Sequence, residues 1–423
     1  MYKKRIADKL LKNLLDASGA VLIEGPKWCG KTTTAEQQAN SVIYLNDPAL
    51  SGQLSLAEGT GITRLLKGNT PRLIDEWQEM PRLWDAIRFE VDHREKKSGQ
   101  FILTGSAVPA NRDSIKHSGT GRFSWLTMRT MSLWESQESS GEVSLEELFN
   151  GAKPDAGEKA MDIEELAFLT CRGGWPASLS MGKKAALKQA QLYIDAVCNT
   201  DISRVDDVRR DSSFCRKLLR SYSRNIGSQA PATTLLADII ANDADSMTES
   251  TLKSYLTALR KIFMIEDMPA WNPNLKSKSA IRTSNTRYFT DSSLAVASLG
   301  IGPNDLLNDL KSFGFFFENM AIRDLRIYAE ANDGQVFHFR DRNGLECDAV
   351  IHLRNGKYGL VEIKLGGDTL VEEGAASLKK LNEIIDKERM NDPAFLMVLT
   401  GVGQYAYTRA DGVHVVPIGC LKD

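Results

Sequence analysis

The segment Gly25-Pro26-Lys27-Trp28-Cys29-Gly30-Lys31-Thr32 fits the spacing GxxxxGK[ST], and it constrains this chain more than any other feature. It follows an apolar run, residues 20–23, and leads into a helix-like stretch, residues 32–39. A strand, a glycine turn and a helix in that order aim backbone N–H groups at one point, where the helix dipole also favours an anion. In this setting the motif predicts a cradle for the phosphates of ATP, lined by residues 25–33 and ending on Thr33. Lys31 is expected on the β- and γ-phosphates, and Thr32 on a Mg²⁺ ion. The alternative, a glycine turn with an incidental Lys-Thr pair, does not account for the flanking elements.

A phosphate cradle hydrolyses nothing without acids. Arg72-Leu73-Ile74-Asp75-Glu76 is a short apolar strand ending in two of them: Asp75 is expected to hold magnesium and Glu76 to polarise the attacking water. The next apolar run, residues 101–103, ends in Thr104-Gly105-Ser106, and a γ-phosphate-sensing hydroxyl is expected there, assigned to Ser106. Arg122 and Arg129 follow in a Gly/Ser-rich segment. Either is a candidate finger, Arg122 first, acting in its own chain or across a contact between copies in a homo-oligomer, because charge building on the γ-phosphate needs a fixed cation. The alternative is an ordinary solvated arginine.

The alternation of short apolar runs (20–23, 42–45, 72–74, 101–103) with amphipathic stretches predicts a parallel sheet covered by helices. A chain of 423 residues exceeds one ordinary core, and three segments are expected: 1–140, 141–295 and 296–423. The first boundary is placed in the polar stretch 138–157. Apolar runs are strand-sized, so no membrane span is expected, and residues 1–12 read as an amphipathic helix rather than a signal peptide. The six cysteines form no CxxC pair and stand apart from the histidines, which argues against structural zinc and for a reducing, cytoplasmic location. A net charge of −2 leaves nucleic-acid binding to a local patch.

Taken together, Ala20-Val-Leu-Ile-Glu-Gly-Pro-Lys-Trp-Cys-Gly-Lys-Thr-Thr, Leu45-Asn-Asp-Pro, Leu73-Ile-Asp-Glu-Trp-Gln, Leu103-Thr-Gly-Ser, Gly119-Thr-Gly-Arg, Gly173-Gly-Trp-Pro and Val361-Glu-Ile-Lys resemble a prokaryotic family of AAA+-type P-loop ATPases. In that family the ATPase domain precedes a domain of unknown function whose last part resembles restriction endonucleases. The resemblance covers nearly the whole chain. It implies an α/β P-loop NTPase sheet, then a helical winged-helix module, then an α/β restriction-endonuclease-like module.

Two regions beyond the ATPase segment carry chemistry of their own. Residues 235–240 and 251–262 read as helices joined by a polar turn at 247–248, and 263–270 as a strand, the outline of a winged helix. Between Pro269 and Thr290 stand Lys276, Lys278, Arg282 and Arg287 with no acid, so a wing closed by Tyr288-Phe289 would present a basic tip to DNA or another nucleic acid. A flexible basic loop, or a module that binds protein, is the alternative. Further on, the apolar rows of 346–353 and 358–365 share a face only with the loop Arg354-Asn355-Gly356 and the register that sets Asp348 opposite Glu362 and Glu346 opposite Lys364. Asp348, Glu362 and Lys364 then share the polar face. Two acids to hold a metal and a lysine to orient water suit a magnesium-dependent phosphodiesterase, and the alternative is a solvated strand face. The spacing resembles the PD-(D/E)XK nuclease core, and Glu318 in the preceding helix matches that fold's additional acid.

Overall fold

Five parallel strands surround the phosphate-loop motif: β1 (Ala20–Glu24), β2 (Ser41–Tyr44), β3 (Arg72–Asp75), β4 (Phe101–Gly105) and β5 (Phe123–Thr127), in the order β2-β3-β4-β1-β5. The computed structural model describes residues 2–95, 97–105, 120–155, 161–206, 208–241, 248–275 and 283–423. β1 is apolar on both faces because helices cover both. Ala20 and Leu22 pack with Ile74, Phe101 and Leu103 against Trp84 and Ile87 of α3 (Leu83–His93). Val21 and Ile23 pack with Leu73 and Ile102 against Leu11 and Leu15 of α1 (Ile6–Ala17), two residues one helical turn apart. β4 lies between β1 and β3, so the chain leaves all three at the same carboxyl edge of the sheet, where open α/β sheets bind ligands. No strand is expected from sequence at β5. It is an edge strand, with Phe123 and Leu126 buried and Trp125 exposed, and so shows no continuous apolar run.

The chain forms two compact units. The first combines Met1–Thr130 with Ala196–Asp211 and Ser254–Met264; the second holds Met131–Asp195, Ser212–Lys253 and Ile265–Asp423. The middle segment is thus shared out between them.

In the second unit a six-stranded sheet runs β10-β11-β9-β8-β7-β6, built from β6 (Gly334–Arg340), β7 (Glu346–Leu353), β8 (Tyr358–Lys364), β9 (Phe395–Thr400), β10 (Tyr407–Thr408) and β11 (His414–Pro417). β6, β7 and β8 are antiparallel neighbours, and β9 lies parallel to β8. Helix α4 (Leu310–Ala331) precedes β6, and α5 (Asp368–Ile384) crosses between β8 and β9. The β7–β8 register is the expected one, with Ala349 opposite Val361 and Ile351 opposite Gly359. Its loop is closed by Gly356 N–H donating to the Leu353 carbonyl at 3.0 Å, and Gly356 takes the left-handed φ of 86° that the turn requires.

Burial departs from expectation. Val350, Tyr358 and Leu360 lie on the face taken as polar and join the core under α5, and Glu362 is 4% exposed. The hairpin is covered on both sides; of its acids Glu362 is buried, Asp348 half-buried and Glu346 exposed. Glu346 forms an ion pair with Arg340 of β6 at 2.8 Å. The stretch 138–157 is likewise more than a loop, since Val143–Ser144 pairs with Leu421–Lys422 and Leu145–Phe149 is helical.

Helices Ala232–Ala241 and Glu249–Lys261 form as expected, and antiparallel bridges Ile265↔Phe289 and Met268↔Thr286 return Tyr288-Phe289 as the second arm of a ribbon. Lys276, Lys278 and Arg282 lie outside the described residues. Arg287 is buried, donating to the Ala230 carbonyl at 2.7 Å and lying over the Tyr222 ring, so it does not belong to a solvent-facing basic patch.

His338 on β6 is buried as the neutral imidazole. Its Nε2 donates to the Ser284 carbonyl at 2.9 Å and its Nδ1 accepts from Gln229 at 3.2 Å, while burial pushes its pKa down to about 4. A depressed folded-state pKa contributes stability that is complete above the unfolded value, about 6.5, and is lost as pH falls through the folded one. Thermal unfolding measured from pH 7 to pH 4 is therefore expected to show a loss of up to about 3 kcal/mol that His338→Gln removes. Identical pH profiles for the two proteins would contradict this.

Candidate nucleotide-binding site

Gly25 ends β1 at φ 148°, and a Cβ there would lie 2.0 Å from the Met128 carbonyl oxygen. Only glycine lets the loop pass the end of β5 at that distance. Buried Arg5, at the cap of α1, ties the same parts together by donating to the carbonyls of Cys29 and Arg129, each at 2.9 Å. Residues 25–30 thus curl over the start of α2 (Lys31–Glu36). The Lys31 ammonium is buried in the curl and donates to the carbonyls of Gly25 at 2.9 Å and Pro26 at 2.8 Å. It is a cation that a phosphate oxygen entering the loop meets at once.

Thr32 and Asp75, the two residues expected to hold magnesium, lie side by side at the carboxyl edge. Thr32 Oγ1 donates to Asp75 Oδ1 at 2.7 Å, and Thr104, at the end of β4, donates to the same oxygen. A threonine hydroxyl and a carboxylate are hard oxygen donors, a set that fits Mg²⁺. Ser106 lies outside the described residues; Thr104, two positions earlier, is the hydroxyl whose contact is seen. Glu76 follows Asp75 in the left-handed region, φ 55° and ψ 47°, a conformation costing a non-glycine residue on the order of 1 kcal/mol. Gln78 donates to its carboxylate, so the strained turn delivers Glu76 already oriented.

Arg122 is placed elsewhere. Its carbonyl accepts from Ala20 N–H at the start of β1, so it stands at the amino edge of the sheet, roughly 13 Å of strand away from the loop. Its guanidinium pairs with Asp92 of α3 at 2.9 Å. A finger acting on its own chain's nucleotide is excluded by this topology. Arg129, just beyond β5 at the carboxyl edge, is buried beside the loop. Lys27, which the motif leaves unassigned beyond the cradle, pairs with Asp201 at 2.6 Å.

In the second unit, Lys364 Nζ lies 2.6 Å from Glu362 and 3.2 Å from Asp348, and Asp348 also accepts from Ile363 N–H at 2.8 Å. Burial first, and then the charge of Asp348, raise the Glu362 pKa; the same two causes raise that of Glu318, whose carboxylate accepts from Tyr288. Burial acts to lower the Lys364 pKa, but the two acids outweigh it and hold the ammonium charged. The residues expected to hold a metal are Glu318, Asp348 and Glu362, and the structure brings Asp348, Glu362 and Lys364 together. Among the described residues, no group of three or more His, Cys, Asp or Glu side chains is arranged to hold a metal ion. The ammonium of Lys364 occupies the space between the two strand acids, and Tyr288 holds the helix acid.

A family model described as an AAA domain matches residues 17–137. Two described as domains of unknown function, DUF8612 and DUF4143, match residues 163–305 and 313–421. Uncharacterized proteins of Mycobacterium tuberculosis and Mycobacterium bovis are each 25% identical over 376 residues, spanning 86% of this chain and 74% of theirs. Among solved structures, a Walker-type ATPase of Pyrococcus abyssi is similar at 14% identity and a TM-score of 0.42, over 70% of this chain and 96% of that one. The RuvB Holliday junction branch migration motor of Thermotoga maritima is similar at 17% identity and a TM-score of 0.26, over 62% and 89%. The loop geometry and the AAA-domain match together make the first unit a P-loop nucleotide-binding unit. Among the described residues, no helix is long and apolar enough to cross a membrane.

Among the described residues, Thr104 reaches the site through its hydrogen bond to Asp75. Thr104→Val is expected to weaken the magnesium dependence of ATP binding roughly 10-fold while sparing magnesium-free binding, as loss of a partner that orients a metal ligand does. Calorimetric titration with and without Mg²⁺ measures both, and equal losses in the two would contradict the assignment.

Proposed function

We propose that the first unit binds ATP with Mg²⁺ and hydrolyses it, and that its nucleotide state governs the module that follows. The observation that carries this reading is the convergence of Thr32, Thr104 and Asp75 at the mouth of the Lys31 loop, with Glu76 one residue on. Lys31 and the loop N–H groups bind and orient the phosphates. Thr32 and Asp75 would hold magnesium, which neutralises phosphate charge when bound. The Glu76 carboxylate orients a water and accepts its proton as the water oxygen attacks the γ-phosphorus; the bond from that phosphorus to the β–γ bridging oxygen breaks, and ADP and inorganic phosphate leave. Arg122, on the far edge of the sheet, can serve as a finger only toward a second copy, which makes a homo-oligomer part of the proposal.

The order α4, β6, β7, β8, α5, β9, with acids on α4, β7 and β8, supports a nuclease-like fold of the PD-(D/E)XK kind for the C-terminal module. The two ion pairs of Lys364 favour a second reading of its activity: as built, the module holds a nucleic acid or protein partner without cutting.

Two measurements test these readings. Lys31→Ala is expected to abolish ATP binding, while Glu76→Gln retains it and lowers turnover at least about 100-fold, as loss of a general base does; ATP affinity equal to wild type in Lys31→Ala would sink the site. For the module, incubation of single- and double-stranded DNA and RNA with Mg²⁺, with and without ATP, is expected to leave every substrate intact. Magnesium-dependent cleavage lost in Lys364→Ala would overturn the binding-only reading.

A further inference from the structure

The pair Lys27–Asp201 joins residues 174 positions apart in the chain and has no part in the chemistry assigned to the loop. Lys27 belongs to the phosphate loop and its side chain is 44% exposed, whereas that of Asp201 is 10% exposed. Asp201 ends a single π-helical turn, Val197–Asp201, after which the chain continues as the short helix Ile202–Arg204. A π turn inserts one residue into a helix and is retained mostly where the displaced side chain has a use. Here the turn delivers a buried carboxylate to the loop's second cation.

The contacts continue beyond Asp201 within the same unit. Arg210, buried, donates to the Ile202 carbonyl at 2.8 Å and forms two bonds with Asp206, at 2.6 and 2.9 Å. Its other amine reaches Ser254 Oγ at 3.0 Å, and the next residue, Asp211, donates its N–H to Tyr255 OH at 2.7 Å. The Arg210 guanidinium also lies over the Tyr255 ring at 5.7 Å. The phosphate loop is thereby connected by charged and hydrogen-bonded contacts to the helix Glu249–Lys261.

We infer that Asp201 reads the nucleotide state of the phosphate loop through Lys27 and passes it to residues 254–264. The inference rests on the proposal that the loop binds ATP. A ligand shifts an equilibrium only through an interaction that differs between the two states, and this pair supplies one. A triphosphate in the loop lies within a Debye length of both groups; it offers Lys27 a competing anion and repels the partly buried Asp201 carboxylate. Nucleotide binding therefore weakens the pair. A carboxylate left without its cation in a buried place is costly, so the 197–211 segment must shift or loosen to hydrate it. Asp201 touches no reacting atom and acts only as a positioning residue.

Hydrogen–deuterium exchange of the full chain, with and without a non-hydrolysable ATP analogue and Mg²⁺, tests the relay alongside calorimetric affinity. In wild type the analogue is expected to raise exchange in peptides covering 197–211 and 254–264. Asp201→Asn is expected to bind the analogue at least about 3-fold more tightly, since a repulsive charge is gone, and to show the raised exchange already without it. The exchanged pair Lys27→Asp with Asp201→Lys is expected to refold the contact but lose the nucleotide response, because the loop now carries an anion. A purely structural salt bridge would leave Asp201→Asn with wild-type affinity and a wild-type nucleotide response, and either result overturns the inference. A wild type that binds the analogue without change in these peptides overturns the relay alone. A wild type that binds no analogue overturns the ATP reading and the relay with it.

Discussion

One carboxylate oxygen organises the first unit. Asp75 Oδ1 accepts hydrogen bonds from Thr32, the first turn after the phosphate loop, and from Thr104, at the end of the strand between. Those three residues leave three strands of one parallel sheet, and they meet only because β4 is inserted between β1 and β3. Strand order, loop closure and metal chemistry are therefore one constraint. The apolar faces of β1 fix the strands against α1 and α3; the strands fix the carboxyl edge; and that edge brings a hydroxyl, a carboxylate and an ammonium together beside the phosphate-loop motif.

Much of this was legible in residue order because parallel, doubly covered strands are unbroken apolar runs: 20–23 and 101–103 announce themselves. The motif likewise names Lys31 and Thr32, since each needs only a local turn to be in place, and the acids ending the run 72–76 name Asp75, which strand order then brings to Thr32. What sequence could not supply is which edge of the sheet a residue occupies. Arg122 looked like a finger until β5 set it at the amino edge, bound to Asp92. Thr104 and Ser106 are indistinguishable as hydroxyls in a string, and only strand geometry aims Thr104 at Asp75. Asp201 was beyond reach altogether, because nothing local connects a π turn at 197–201 to a loop at 25–30.

The C-terminal hairpin teaches a different lesson about burial. Periodicity of two predicts its register and its left-handed Gly356, because a slip of one residue would turn a whole apolar row outward. Periodicity does not say what lies above the other row. There α5 brings Val371, Ala375 and Leu378 down on Val350 and Leu360, and Glu362, on the same row, is buried with them. Enclosure changes their chemistry: two carboxylates and an ammonium so close together must neutralise one another, and Lys364 does so. The same three residues that suggest a metal site in sequence form an ionic cluster in space.

The central claim is that Asp75 joins the phosphate loop to a magnesium-dependent nucleotide site, and ATP titration of wild type and Asp75→Asn across a range of Mg²⁺ concentrations tests it most directly. The account predicts that magnesium strengthens ATP binding in wild type and that this strengthening disappears in Asp75→Asn, while magnesium-free binding through Lys31 persists. The same magnesium dependence in both proteins would contradict it.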